Sequence, residues 1–255
     1  MDKLNITEAI KSIESQIKSY IGHRKAVIGI SGGIDSAVVA SLCVRALGKE
    51  NVIGIQMPYG EQSTEDGDKL VKHLELESLT YNIKHIVQSF PISSPSMHPN
   101  VENARLVNGN IRARTRMTLL YAYAGMRNGI VVGTSNKTEI MLGYFTKYGD
   151  GGCDIEPIGD IYKTEIFEVA KVLEVPESIV TKKPSAELWV GQTDEGEIGM
   201  TYAEMDEILR SGLYPFTDVP NAYGDKGRKL LERMASTNHK REMPPVFSVA
   251  IARSF

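Results

Sequence analysis

Ser31-Gly32-Gly33-Ile34-Asp35-Ser36 sits between a short apolar run, Lys25-Ala26-Val27-Ile28-Gly29-Ile30, and a stretch from Ala37 to Leu47 that contains neither Gly nor Pro. The first run is β-branched and continuous, as expected of a strand covered on both faces, and the second has helical composition. A strand that breaks into a glycine turn and feeds a helix N-terminus forms a cradle for phosphate. The glycines let the backbone approach, N–H groups point inward, and the helix dipole favours negative charge. The dinucleotide pattern G-x-G-x-x-G is excluded, because the glycines fall at 29, 32 and 33. The Walker pattern is excluded too, because the loop ends in Asp35-Ser36 where Gly-Lys-Ser/Thr would stand. Ser31 and Ser36 can donate hydroxyl hydrogen bonds to phosphate oxygens. Asp35 would repel a phosphate unless a cation lay between them, which argues for Mg²⁺.

Outward from this centre the pattern alternates. Ile6, Ile10, Ile13, Ile17 and Tyr20 recur at helical spacing and predict an amphipathic helix over about 2–22. Asn51–Met57 predicts a second strand, stopped by Pro58 and Gly60. Ser63, three residues ahead of Asp66, suggests a capping box opening a helix that reaches about Leu76. Leu79–Ile83 predicts a third strand. His85–Asn100 carries three prolines and several serines and is expected to be a loop. A long helix over Asn110–Arg127 then leads to a fourth strand, Gly129–Thr134. Strands alternating with helices imply an α/β fold of Rossmann-like type, a parallel sheet with helices on both faces.

Beyond Thr134, Tyr148–Cys153 is a glycine-rich loop and Tyr162–Leu173 a helix. Pro176 and Pro184 bracket a helical turn, and Gly191–Gly199 is a polar candidate lid. Helices near Tyr202–Ser211 and Tyr223–Thr237 follow, ahead of Pro244 and Pro245. Nothing there has the look of a linker or a second core, so residues 1–255 are expected to form one domain.

At 255 residues with a net charge of −3, the chain has no basic surplus that would mark a nucleic-acid surface. No run approaches the ~20 apolar residues of a membrane span, and the N-terminus lacks a signal-peptide core. The two cysteines, Cys43 and Cys153, lack metal-ligand spacing, so a reduced, cytoplasmic protein is expected.

The Ser-Gly-Gly-x-Asp-Ser loop resembles the pyrophosphate loop of the ATP-pyrophosphatase superfamily, whose adenine nucleotide alpha hydrolase-like members cut ATP between the α and β phosphates. Within it, Gly133-Thr134-Ser135-Asn136-Lys137-Thr138-Glu139 and Gly143-Tyr144-Phe145-Thr146-Lys147-Tyr148-Gly149-Asp150-Gly151-Gly152-Cys153-Asp154 are similar to the ammonia-dependent NAD synthetases. So are Arg112–Met117, Lys183–Leu188 and the His239-Lys240 pair. The resemblance implies that deamido-NAD, ATP and ammonia become NAD, AMP and pyrophosphate through an adenylated nicotinate.

Carried over by position, Gly29, Ile30, Ser31, Gly32, Gly33, Ile34, Asp35 and Ser36 hold ATP with Thr134, Lys163 and Ser185, and Asp35 and Glu139 hold Mg²⁺. Lys163 is similar to the family's phosphate-contacting lysine, which implies that it neutralises charge at the α-phosphate. Arg114, Lys147, Asp154, His239 and Lys240 contact deamido-NAD, with Asp154 suited to hydroxyl recognition or the incoming ammonia; Lys163 and Asp154 are the catalytic candidates. Spacing alone leaves open which of Arg112, Arg114 and Arg116 reaches the ligand. Cys153 replaces another small residue, which would make the site thiol-sensitive. The family also implies a homodimer, and the helix over 110–127, with Met117, Leu119, Leu120, Tyr121 and Tyr123, is the interface candidate.

A glutamine-dependent enzyme needs a hydrolase domain, for which the residues ahead of Lys25 are too few, so free or delivered ammonia is expected. Two rivals fit less well. A tRNA thiolase needs catalytic cysteines and a basic surface, and a non-catalytic nucleotide-binding module leaves Asp35, Glu139 and the 147–154 loop unexplained.

Overall fold

The chain winds strand by strand into a parallel sheet, because each apolar run is followed by a helix that carries it back to the same edge. The computed structural model describes residues 4–91, 101–182, 193–211 and 219–247. In order these form α1 (Ile6–Ile21), β1 (Lys25–Gly29), α2 (Ile34–Leu47), β2 (Val52–Gln56), α3 (Glu65–Leu74), β3 (Glu77–Thr80), α4 (Lys84–Gln88), α5 (Val101–Met126) and β4 (Gly129–Val132). The second half adds α6 (Lys137–Leu142), α7 (Lys163–Val172), α8 (Glu177–Val180), α9 (Asp194–Ile198), α10 (Tyr202–Arg210), α11 (Val219–Ser236) and α12 (Asn238–Arg241). The strand order is β3-β2-β1-β4, all parallel, with Val27 opposite Ile53 on one side and Val131 on the other.

The two-residue period of a strand divides the core. Ala26 and Ile28 of β1, with Ile130 and Val132 of β4, face α1, α2 and α7. Val27, Ile53, Ile55 and Val131 face the other way, against Ile111, Ala124 and Leu120 of α5 and Val87 of α4. Both faces are therefore covered, as the continuous apolar run at β1 required. The C-terminal helices gather a third apolar cluster, in which Leu142 of α6 meets Met205 and Ile208 of α10 and Leu230 and Met234 of α11.

Several boundaries differ from the pattern in the sequence. In α1, Ile21 is buried and Tyr20 is exposed, so the stripe ends one residue later than the spacing suggested. The expected Ser63–Asp66 capping box is absent; α3 begins at Glu65, and the Ser63 hydroxyl accepts from the Glu65 N–H at 3.2 Å. β3 lies two residues earlier, over Glu77–Thr80, because it is an exposed edge strand with only Leu79 half-buried and shows little alternation. The expected loop over 85–100 begins as α4, and residues 92–100 lie outside the described part.

The long helix starts at Val101, well ahead of Asn110. Asn108-Gly109-Asn110 has the composition of a turn, but Val107 and Ile111 pack on the sheet, and Asn108 donates back to the Ala104 carbonyl at 2.9 Å. Of the candidate lid over 191–199, residues 194–198 form α9, capped by the Thr193 hydroxyl. α11 begins at Val219 and bends at Gly224, where φ is 58°. Among the described residues no helix is long and apolar enough to cross a membrane.

Candidate active site

A cavity of about 370 Å³ opens at the carboxyl ends of β1 and β4, where the chain order changes direction across the sheet. Open parallel sheets bind ligands at such switch points. Gly29, Ile30, Ser31, Gly33, Ile34, Asp35 and Ser36 line it from one strand, and Val131–Ser135 from the other. Gly32 does not face the cavity. It makes the turn, at φ 79°, and a Cβ there would lie 3.2 Å from Asp66 Cβ and 3.3 Å from the Gly67 nitrogen.

The serine hydroxyls bind the loop to itself. Ser31 Oγ accepts from the Gly33 N–H at 3.1 Å, Ser36 Oγ donates to the Gly33 carbonyl at 3.0 Å, and the two hydroxyls are 3.0 Å apart. Ser36 is buried. Both serines thus shape the turn, and both also line the cavity. The backbone offers donors too, because the N-cap, Gly33, gives the first turn of α2 no side-chain acceptor.

Asp35, in the first turn of α2, is the charged centre. Its Oδ2 accepts from Lys163 Nζ in a direct ion pair, and its Oδ1 accepts from Asn136 Nδ2 at 3.0 Å. Glu139 Oε1 lies 3.8 Å from the same ammonium. Lys163 is the first residue of α7 and is 2 % exposed. Burial alone would lower its pKa, but the charges of Asp35 and Glu139 outweigh that and raise it. Burial, then the charge of Asp35, pushes the Glu139 carboxyl up to about 8, with Lys163 pulling the other way.

Glu139 is also the third residue of a capping box, in which Asn136 accepts from the Glu139 N–H and Glu139 accepts from the Asn136 N–H. Asp35 and Glu139 thus converge on one cation from two strand ends. Among the described residues no third His, Cys, Asp or Glu completes a metal cage with them. Two carboxylates beside a phosphate cradle still fit Mg²⁺, which takes oxygen ligands and keeps several waters and phosphate oxygens in its shell.

The wall beneath Thr134 is tightly fitted. A Cβ on Gly133 would stand 2.5 Å from Cys153 Sγ and 2.5 Å from Glu156 Cδ. Glu156 Oε2 accepts from the Ser135 N–H at 2.9 Å, and Oε1 accepts from the Cys153 thiol at 3.2 Å. Cys153 lines the cavity, but burial and the Glu156 carboxylate push its thiol well above the usual range. A thiol so raised holds its proton near neutral pH and is a weaker nucleophile than a free cysteine. Cys43 is a buried apolar residue, with its thiol pushed up to about 12 by burial.

Of the residues expected to contact a dinucleotide, Lys240 lines the cavity, whereas Arg114, Lys147, Asp154 and His239 do not. Of the three arginines, Arg116 lines the cavity, with Nε on the Met57 carbonyl at 3.0 Å and Nη2 on Gln62 at 3.2 Å. Arg112 stacks 3.6 Å over the Tyr59 ring, and Arg114 is exposed, donating to the Lys147 carbonyl at 3.3 Å. Lys147 Nζ donates to the His239 carbonyl, and His239 itself is exposed on α12. Lys240 reaches the cavity and donates to the Gly143 and Phe145 carbonyls at 2.8 and 2.7 Å. Burial, then Arg233, lowers its pKa.

Asp154 is exposed and lines a neighbouring depression with Glu156 and Lys240. Its Oδ2 accepts from the Val131 N–H at 2.8 Å and its Oδ1 from the Tyr121 hydroxyl at 2.9 Å. Ser185 and the rest of 183–192 lie outside the described residues. In the 148–153 loop, Tyr148 takes the left-handed backbone, at φ 59°. Gly151 is needed for space, since a Cβ would meet the Phe145 ring at 2.4 Å.

The sequence reading missed Asn136, Glu156 and Asp194. Asn136 was detectable as the start of N-x-x-E. Asp194, buried beside Lys163, accepts from the Tyr202 hydroxyl at 2.9 Å and lies 3.2 Å from that of Tyr144; no local pattern marks it.

A family model described as NAD synthase matches residues 5–244. A curated NH3-dependent NAD+ synthetase from Methanosarcina mazei is 46 % identical over 235 residues, covering 88 % of this chain and 90 % of that one. Among solved structures, an NMN synthetase from Francisella tularensis superposes with a TM-score of 0.84 at 33 % identity, covering 97 % of this chain and 100 % of that one. An NH3-dependent NAD synthetase from Campylobacter jejuni superposes with a TM-score of 0.78 at 32 % identity, covering 96 % and 100 %.

Proposed function

The chain belongs to the NAD synthase family, and we propose that it is an ammonia-dependent NAD synthetase acting as one catalytic domain on deamido-NAD, ATP and ammonia. The observation that carries this reading is the convergence of Asp35 and Glu139 on buried Lys163, at the mouth of a phosphate loop.

A carboxylate is a poor electrophile for ammonia. A nicotinate carboxylate oxygen therefore attacks the α-phosphorus of ATP, the bond to the β-phosphate oxygen breaks, and pyrophosphate leaves. Ammonia then attacks the adenylated carbonyl, AMP departs, and a proton passes to solvent.

In this reading the backbone of 29–36 and Thr134 hold the phosphates, and Ser185 belongs to the same set. Asp35 and Glu139 would hold Mg²⁺, which supplies charge neutralisation to the phosphate oxygens. Lys163 is released from Asp35 to the phosphates and stabilises charge developing there. Arg114, Lys147, Asp154, His239 and Lys240 form the rim over which the dinucleotide lies, and Arg116 joins them from inside the cavity.

We place the reaction in the cytoplasm, whose reducing conditions suit two free thiols. A homodimer through α5 is part of the same reading. That helix exposes Leu106, Tyr121 and Met126, and Tyr20 is exposed on α1. A monomer by light scattering at micromolar concentration would remove it.

The deciding assay supplies deamido-NAD, ATP, Mg²⁺ and ammonium and follows NAD and pyrophosphate together; no NAD formation refutes the reading. The Francisella relative is described as an NMN synthetase, so nicotinate mononucleotide is offered in parallel. Amidation of the mononucleotide in preference would replace deamido-NAD as the substrate and leave the chemistry unchanged.

A further inference from the structure

Asp206, on α10, is 1 % exposed and does not line the cavity, yet it ties together the two elements that carry Glu139 and Lys163. One carboxylate oxygen accepts from the Thr138 hydroxyl, and the other accepts from the Thr164 N–H at 2.9 Å. Thr138 is itself fully buried, and its Oγ accepts from the Lys163 N–H at 3.0 Å. The hydroxyl is therefore used in both directions, as donor to Asp206 and acceptor from Lys163. Thr138 precedes Glu139 and Thr164 follows Lys163, so a single carboxylate, 68 residues from Thr138, fixes both backbones at once.

The surrounding stripe has the same orientation. Tyr202, Asp206 and Arg210 recur at four-residue spacing on one face of α10. Lys163 Nζ lies 5.2 Å from the centre of the Tyr202 ring, and Arg210 bonds Thr164 at 3.2 Å and Glu165 at 3.0 Å. Thr138 and Asp206 thus take up the Lys163 and Thr164 N–H groups, while those of Glu165 and Ile166 bond the Tyr162 carbonyl.

We propose that Asp206 is a positioning residue of the synthetase reaction, acting through Thr138 to hold Glu139 and Lys163 in the mutual geometry that pyrophosphate departure requires. The proposal rests on the function argued above. Displacement of a catalytic group by about 1 Å costs on the order of a hundredfold in rate, so the effect falls on turnover more than on binding of the acid substrate.

The test measures kcat and KM for the acid that the wild type amidates, in Asp206→Ala, Thr138→Val and Thr138→Ser, each checked for folding by circular dichroism. Asp206→Ala and Thr138→Val should each lower kcat at least tenfold, with KM for the acid within about twofold. Thr138→Ser, which keeps the hydroxyl, should retain most of the turnover. The Asp206→Ala/Thr138→Val double variant should be no worse than about threefold below the weaker single one, because both cut the same chain of bonds. A folded Asp206→Ala that loses less than tenfold overturns the proposal, as does equal damage from the serine and valine variants. Should Asp206→Ala fail to fold, the Thr138 pair decides alone. Wild-type activity tests the function itself, and the ratios among variants test the positioning role.

Discussion

Asn136 and Asp35 stand 101 residues apart in the chain, and the Asn136 amide nitrogen donates to Asp35 Oδ1 at 3.0 Å while its oxygen caps α6. Both ends of one fully buried amide are thus in use, one orienting the phosphate-loop carboxylate and the other starting the helix that carries Glu139. Asn136→Ala removes a cap and a hydrogen bond to a charged group, and should destabilise the protein by about 1–3 kcal/mol. Urea unfolding measures this, and a change under about 0.5 kcal/mol would show that neither bond matters to the fold.

Gly133→Ala brings a methyl group to 2.5 Å from both Cys153 Sγ and Glu156 Cδ. The site cannot open without moving Ser135, so the variant should lose about 1–3 kcal/mol. Adding Cys153→Ala relieves one clash of the two and should recover only part. Full recovery in that double variant would contradict the contact with Glu156.

Burial raises the Glu156 carboxyl from 4.5 to about 7, against hydrogen bonds from Cys153 and Ser135 that lower it. Between those two pH values the native state holds a proton that the unfolded chain has released, so stability falls as pH rises. The contribution is complete below about 4.5 and lost by passage through about 7, and its full size is about 3 kcal/mol. Glu156→Gln, which cannot titrate, should flatten that segment of the stability curve. Parallel curves for wild type and variant in unfolding at pH 5 and pH 8 would rule out the assignment.

Lys163→Ala leaves Asp35 and Glu139 facing each other without their cation. NAD formation should fall by about a hundredfold or more. On the proposed binding of a metal by the carboxylates that hold this lysine, Mg²⁺ without nucleotide should raise the melting temperature of the variant more than that of the wild type. Equal shifts on titrating MgCl₂ would mean that the ammonium and the metal do not share a site.

The parts of this molecule that local chemistry determines were legible in the sequence. β1, its glycine turn and α2 were evident because burial on both faces leaves a continuous apolar run and the turn needs Gly32. Asp35 stood out because an anion beside a phosphate cradle calls for a cation, and the cation the structure sets against it is Lys163. β3 was misplaced because an exposed edge strand carries no alternation, and the first two turns of α5 were missed because packing by Val107 and Ile111 overrides the turn composition at 108–110. In the site, Lys163 is ordinary by sequence and unusual only once burial sets it between two carboxylates. Asp206 meets Thr138 68 residues away and Asp194 meets Tyr144 50 residues away, separations that no spacing rule reads.

The Asp154 carboxylate completes β4 as a neighbouring strand would, by taking up the Val131 N–H, while Val132 forms a single parallel bridge with Ile155. The edge of the sheet beside the site is thereby closed to another chain, which removes a template for edge-to-edge aggregation. A substitution such as Asp154→Ala therefore does two things at once: it alters the rim and exposes a backbone donor of a buried strand. Loss of solubility at high protein concentration, separable from loss of turnover, is how that second consequence would show itself.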